Sequence, residues 1–384
     1  MADPIVQEAH SFAPLHHAIC AISLLNLYYR GQARWEDALE REGLATRLLA
    51  RNIRSDDDLD SDGILFLHFL LLSYDMGNPV NDDQLWVQHM HQIKRIISNR
   101  LQKAQVVSEV CWLVFGSATW LEIQASLAGS QAGIPHPLQY VRGILDAEAR
   151  MIEPMPPQYP CHRQETEFLA PIAIFTHQML GLTARTSQLA NQLRSDHSKI
   201  AALQDAISQL QRDIRRSWDR FYPSRLPRDR MEAMKMLTPR CRRTLEAGFM
   251  FYFANVIYSS ACMYPSQLLS NPALISDVNL ASRNILVLAH ASLDNGERNL
   301  RPTSFAVFIA GACSTEMEVK AAALQCIGRF EKTTISRNAS KAKALLAVLF
   351  EEQQQQTMRG ERAEEVDWIT LARERHMELF DFGL

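Results

Sequence analysis

Apolar residues recur at steps of three and four along most of the chain, the spacing of a single buried helix face. Phe12, Leu15, Ile19, Ile22 and Leu25 mark such a face over 12–30. Trp35, Ala38, Leu39, Ala45, Leu48, Leu49 and Ile53 mark another over 34–53. From 59 to 76 the pattern is apolar almost all round, which predicts a helix at the centre of a core. Helices are expected over 83–101 and 104–127, the second carrying Val107, Val110, Val114, Leu121 and Leu127. Gly129, Gly133, Pro135, Pro137, Pro154, Pro156, Pro157 and Pro160 then crowd the stretch 128–163. That density ends helices and predicts a loop or subdomain boundary, with room for a short helix at 138–151.

Helical spacing returns at 165–189. Residues 189–221 are polar with a thin stripe of Leu193, Ile200, Leu203, Ile207, Leu210, Ile214 and Phe221. Two readings stay open for it: a long helix with one face on the domain, or self-association through a heptad-like seam. Further helices are expected at 240–263, 276–294, 303–314, 315–335 and 337–352. A polar, Gln-rich hinge at 353–363 precedes a last short helix near 367–380. No fixed-period repeat is visible, which argues against a regular solenoid.

Composition sharpens this into a fold class. Among 384 residues there are 46 Leu but only 15 Val, with 15 Gly. Unbranched Leu keeps its rotamer freedom in a helix, and strand-and-turn folds need more Gly. The expectation is an all-α fold: one large multi-helical domain spanning 1–384, broken internally at 128–163. A net charge of −3 gives the molecule no global bias toward nucleic acid or anionic membrane. The seven cysteines are odd in number and widely spread, which fits a reducing compartment better than a disulfide scaffold. Met1 to Ser11 lacks a signal peptide's pattern. The run 64–72 is too short to cross a bilayer, and Glu246, Asn255, Ser259 and Ser260 interrupt 245–263, so no membrane association is expected.

Candidate chemistry is sparse. Asp58, Asp60, Asp62 and Gly63 form D-x-D-x-D-G, the opening of a calcium loop, but Phe69 stands where the bidentate Glu belongs. An acidic loop at a helix N-terminus is the better reading. His16–His17 and the pair His89 and His91 lack the i, i+4 spacing of helical metal ligands. No two cysteines are closer than Cys313 and Cys326, so no C-x-x-C exists. Phosphate-loop, dinucleotide and nucleophile-elbow signatures are missing. The expectation is therefore no catalytic residue, no metal site and no cofactor. Between 212 and 243, eleven Arg or Lys stand against four Asp or Glu, interleaved with Trp218, Phe221 and Tyr222. This is read either as a weak phosphate grip or as a solvated surface answering the acidic 55–62 loop.

Near the end of the chain, Thr303-Ser304-Phe305-Ala306-Val307-Phe308-Ile309-Ala310-Gly311 resembles the aromatic-x-x-F-I-A-G helix of the fungal-specific transcription factor domain. The resemblance continues through Ile335-Ser336-Arg337-Asn338, Leu345-Leu346-Ala347-Val348 and Phe350-Glu351-Glu352 to Val366-Asp367-Trp368, similar to the family's D-W element. Residues 63–76 and 86–97 resemble its early helices. The resemblance implies the regulatory, middle-homology region of a zinc-cluster transcription factor: nuclear, not an enzyme, and acting through other transcription proteins or a small-molecule effector. Members typically carry a six-cysteine zinc cluster for DNA, which this chain lacks. It is expected to be a truncated product or a cluster-less relative, without sequence-specific DNA binding of its own. Two further classes remain: a helical scaffold for partner peptides, and a helical enzyme. Against the enzyme, Asp56-Asp57-Asp58 lacks the spaced Asp of a magnesium–diphosphate motif.

Overall fold

Ser61 starts the helix that the all-round apolar pattern predicts. Its hydroxyl accepts from the Gly63 N–H at 3.1 Å, satisfying one free donor of the first turn. In the computed structural model, which describes residues 4–52, 61–78, 85–102, 109–129, 157–294, 301–333, 338–363 and 366–377, the fold is all-α. Sixteen α-helices and no strand occur among the described residues. Two compact units emerge, residues 1–119 and residues 120–334 with 338–383. The boundary lies inside a helix. Most of the Pro/Gly-rich stretch, with the short helix expected at 138–151, is outside the described residues.

The first unit contains α1 (Pro4–Ser11), α2 (Ala13–Tyr29), α3 (Trp35–Asn52), α4 (Asp62–Gly77), α5 (Leu85–Gln102) and the start of α6 (Glu109–Leu127). Gly31 ends α2 in the left-handed region at φ +69°, a conformation that favours glycine, and the chain turns there into α3. Helix α4 buries Ile64, Leu65, Phe66, Leu67, Leu71, Leu72 and Tyr74. Its C-terminus is tied down twice: the Tyr29 hydroxyl donates to the Gly77 carbonyl at 2.5 Å, and the Trp35 indole donates to Asn78 Oδ1 at 3.0 Å. At its start, Asp62 pairs with Arg100 of α5 at 2.6 Å.

The second unit is built around α10 (Pro239–Ala261), which packs against α7 (His162–Ser195), α8 (Ile200–Phe221), α12 (Ile275–Asp294) and α13 (Arg301–Cys313). Short α9 (Arg230–Met236) and α11 (Gln267–Ser270) flank it. Helix α13 also packs on α14 (Met317–Thr333) and α15 (Asn338–Met358), and α16 (Trp368–Glu374) closes the unit. Asn255, one of the residues that interrupts the apolar run of α10, is buried among partners. Its amide donates to Thr183 Oγ1 at 2.9 Å and to the Met179 carbonyl at 3.3 Å, and its oxygen accepts from Thr186. No described helix is long and apolar enough to cross a membrane.

Two expectations need correcting. The stripe over 189–221 is two helices, because Asp196 adopts an extended conformation and caps a short turn by accepting from the Ser198 N–H. Its Leu193, Ile207, Leu210 and Ile214 are buried in the second unit's own core, with Ile200, Leu203 and Phe221 packed against it. The stripe thus lies on the chain's own core, on two helices where one long helix was expected. The hinge expected from 353 begins too early: α15 runs on to Met358, because Gln353 is buried and hydrogen-bonded.

Candidate functional site

The residues of the D-W element explain one another. Asp367 is the N-cap of α16, its Oδ1 accepting from the Thr370 N–H at 2.9 Å. The same carboxylate receives both arms of the Arg194 guanidinium, at 3.0 Å and 2.8 Å. One of those arms also reaches the Cys262 carbonyl at 2.5 Å, joining α7, the end of α10 and the start of α16. Burial alone would raise the Asp367 carboxyl, but the hydrogen bond and charge of Arg194 hold it below the ordinary carboxylate value. Next in sequence, Trp368 is buried and meets Phe308 edge-on, ring centroids 5.0 Å apart. The F-I-A-G helix and the D-W element are therefore packing partners. Gly311 closes the same motif because a β-carbon there would lie 2.7 Å from the Ala323 methyl of α14.

Beside this junction lies a cavity of about 440 Å³. Its walls come from the end of α10, the end of α13, the turn after it, α14, α15 and the D-W element. Leu268, Met317, Phe350 and Trp368 supply apolar surface. Lys320 supplies a buried ammonium, held by Gln353 Oε1 at 2.6 Å and lying 5.5 Å from the centre of the Phe350 ring. Asn279 fixes the turn of residues 314–316: its oxygen accepts from the Ser314 hydroxyl and the Thr315 N–H at 3.0 and 3.1 Å. Cys262 and Cys313 also line the cavity, with their sulfurs 3.0 Å apart. The hydrogen bond to Cys262 and burial push the Cys313 thiol well above its ordinary range. An apolar chamber with a few placed polar groups has the make-up of a small-molecule site. A wider recess of about 720 Å³ beside Pro171 and Pro223 is edged by the exposed Arg225, paired with Glu167 at 2.8 Å.

Spacing along the chain did not bring out these residues. Cys262 and Cys313 are 51 positions apart, and Arg194 and Asp367 are 173 apart. The D-W resemblance was the one available pointer. Of the calcium-like loop, Asp58 and Asp60 lie outside the described residues, while Asp62 stands in the first turn of α4 on Arg100, as a helix start requires. His16 and His17 meet each other's ring edges, at 5.6 Å, while His16 Nε2 lies 3.7 Å from Cys20 and His17 approaches Arg41. His89 instead finds His68, the two Nδ1 atoms 3.0 Å apart, while its Nε2 lies 3.3 Å from Asp75. Among the described residues no three His, Cys, Asp or Glu form a group that could hold a metal.

The basic stretch 212–243 is largely engaged. Arg215 pairs with Asp277, Arg228 with Asp219, and Arg240 with Glu165. Its aromatics stack inward: Trp218 lies on Tyr222 with centroids 4.4 Å apart, and both rings stack on buried Phe249.

No curated protein and no solved structure gives a match to the chain. A family model does, the one described as the fungal specific transcription factor domain, over residues 2–380. With that match running through the Phe305–Gly311 helix, its partner Trp368 and nearly every helix between the ends, the chain belongs to the fungal-specific transcription factor domain family.

Proposed function

We propose that this chain is a non-enzymatic, nuclear regulatory domain of the zinc-cluster type, and that the cavity beside the D-W element takes a small-molecule effector. One observation carries the effector reading: the chamber is walled by helix ends and by the C-terminal element, which one buried ion pair fastens. Occupying such a chamber favours whichever arrangement of α16 fits the ligand, and a ligand shifts an equilibrium by its differential affinity. The chamber's polar end, with Lys320 and Gln353, suits an amphipathic molecule with an acceptor group. Its other walls suit an apolar body.

The test uses the chain fused to a heterologous DNA-binding domain and a reporter in a fungal cell. Thr357→Trp, at the exposed rim of the chamber, should fill it and change reporter output while the protein stays folded. Output equal to that of the native fusion would remove the effector reading. The unfused, tagged chain should accumulate in the nucleus, and steady exclusion would remove the regulatory one. By itself the chain is not expected to read DNA sequence, since none of its cysteines stands at zinc-cluster spacing.

A further inference from the structure

We propose that Cys262 and Cys313 are a redox pair, closing to a reversible disulfide when the protein meets a hydroperoxide. The inference rests on the sulfur geometry and holds whether or not the chamber takes an effector.

Three observations carry it. The two Sγ atoms are 3.0 Å apart, about 1 Å more than a disulfide bond. Both residues sit at helix ends: Cys262 is the C-cap of α10 and Cys313 the last residue of α13. Arg194 holds the Cys262 carbonyl, and the turn following Cys313 is pinned to Asn279, so the backbone presents the sulfurs to each other. Both also line the 440 Å³ chamber, which gives a small oxidant a route to sulfurs that are otherwise largely buried.

The other cysteines are placed differently. Cys20 lies 3.7 Å from His16 Nε2, and Cys111 accepts from Arg100 at 3.3 Å. Cys161, Cys241 and Cys326 lie elsewhere in the fold and do not line this chamber.

The chemistry balances with a hydroperoxide as oxidant. With Cys262 written as the first to react, its thiol gives up its proton and the sulfur attacks the terminal peroxide oxygen; the O–O bond breaks, and the alkoxide takes up that proton and leaves as an alcohol. Cys262 is now a sulfenic acid. The Cys313 sulfur attacks the Cys262 sulfur, the S–O bond breaks, and hydroxide leaves with the Cys313 proton as water. Two thiols have lost two hydrogens and gained one S–S bond, and one hydroperoxide has become alcohol and water. A dithiol reductant reverses the bond by exchange, becoming a disulfide itself. In a reducing compartment the closed form is transient, which is the behaviour of a sensor and not of a structural staple.

The test treats the reduced, folded full-length chain with cumene hydroperoxide or hydrogen peroxide, then unfolds it in an alkylating agent and maps the peptides. The expected result is one cross-link, Cys262 to Cys313, reversed by dithiothreitol, with the remaining cysteines alkylated. The oxidised chain should also melt several degrees higher, because a cross-link between distant positions restricts the unfolded ensemble. That rise should vanish in Cys313→Ser and Cys313→Ala, the second variant covering a folding failure of the first. Full alkylation of both cysteines after oxidation of a chain still helical by circular dichroism would overturn the proposal. So would cross-links distributed among several pairs. The mapping needs no variant and no effector, so its failure is separable from failure of the effector reading.

Discussion

Arg194 and Asp367 meet across 173 intervening steps of sequence through two parallel hydrogen bonds, with only 10% and 7% of their side chains exposed. This two-pronged geometry is the strong form of the arginine–carboxylate contact. Everything at the C-terminal junction converges on it: the cap of α16, the end of α10 and one wall of the chamber.

Asp367→Asn should therefore be costly. It leaves the Arg194 charge buried without its counter-ion, and breaking a buried pair from one side typically costs about 3–5 kcal/mol. Arg194→Met with Asp367→Leu should cost less than either single change, because no charge is stranded. Acid gives a second reading. The folded carboxyl lies below its ordinary value of 3.8, so the pair's stabilisation is complete above that pH and is lost as pH falls through the folded value. Urea midpoints at pH 7 and near pH 3 measure both effects. An Asp367→Asn midpoint equal to the native one at pH 7 would contradict the assignment.

Gly311→Ala tests the close approach of α13 and α14. The added methyl would sit 2.7 Å from the Ala323 methyl, closer than carbon atoms tolerate, so a helix must shift. Overpacking of this kind costs about 1–3 kcal/mol. The double variant Gly311→Ala with Ala323→Gly should recover most of that loss, apart from the helix penalty of the new glycine. A double variant no more stable than Gly311→Ala would place the strain elsewhere.

Helix positions were legible in the sequence because burial writes a period of three and four wherever a helix has one wet face. The run 62–77 was legible for the opposite reason, its lack of a wet face. What periodicity missed are features made by one residue against the pattern. Asp196 breaks the 189–221 stripe without disturbing its spacing, since each of the two helices it separates carries its own buried face. Gln353 reads as a polar hinge residue until Lys320 and the Ala312 carbonyl satisfy its amide. The chamber's chemistry was hidden more completely. Cys262 and Cys313, or Arg194 and Asp367, become neighbours only when helices distant in sequence pack, and one sequence records no pairing between them.

Trp368 separates packing from hydrogen bonding at the D-W element. It is 3% exposed, meets Phe308 edge-on, and its indole nitrogen has no acceptor among the described residues. Trp368→Ala should cost roughly 3–5 kcal/mol from the lost contacts and the cavity left behind. Trp368→Phe should cost distinctly less, because the ring contact survives and no hydrogen bond is given up. Denaturant unfolding distinguishes the two, and equal losses would show that the indole nitrogen matters after all.

His68, in the first unit, is 5% exposed on the central helix α4. Burial, with the neighbouring His89 charge second, lowers its pKa from 6.5 to about 3. Its Nδ1 lies 3.0 Å from that of His89, close enough for one ring to donate to the other, the donor being set by the tautomers. The unfolded chain takes up a proton at His68 near pH 6.5, while the folded chain declines it down to about 3. Between those values the unfolded state binds more protons, so stability falls as pH falls, and it is fully present above the unfolded value. The limiting slope is about 1.4 kcal/mol per pH unit. Other groups titrate in the same window, so the informative quantity is the difference between native protein and His68→Asn, which keeps a polar group near the Nδ1 position and cannot take a proton. Hydrogen exchange of the α4 amides, corrected for intrinsic rates, should show the opening free energy dropping from pH 7 to pH 5 in the native chain. In His68→Asn the drop should be markedly shallower. An equal drop in both proteins would mean that His68 takes up its proton in the fold as readily as in the unfolded chain.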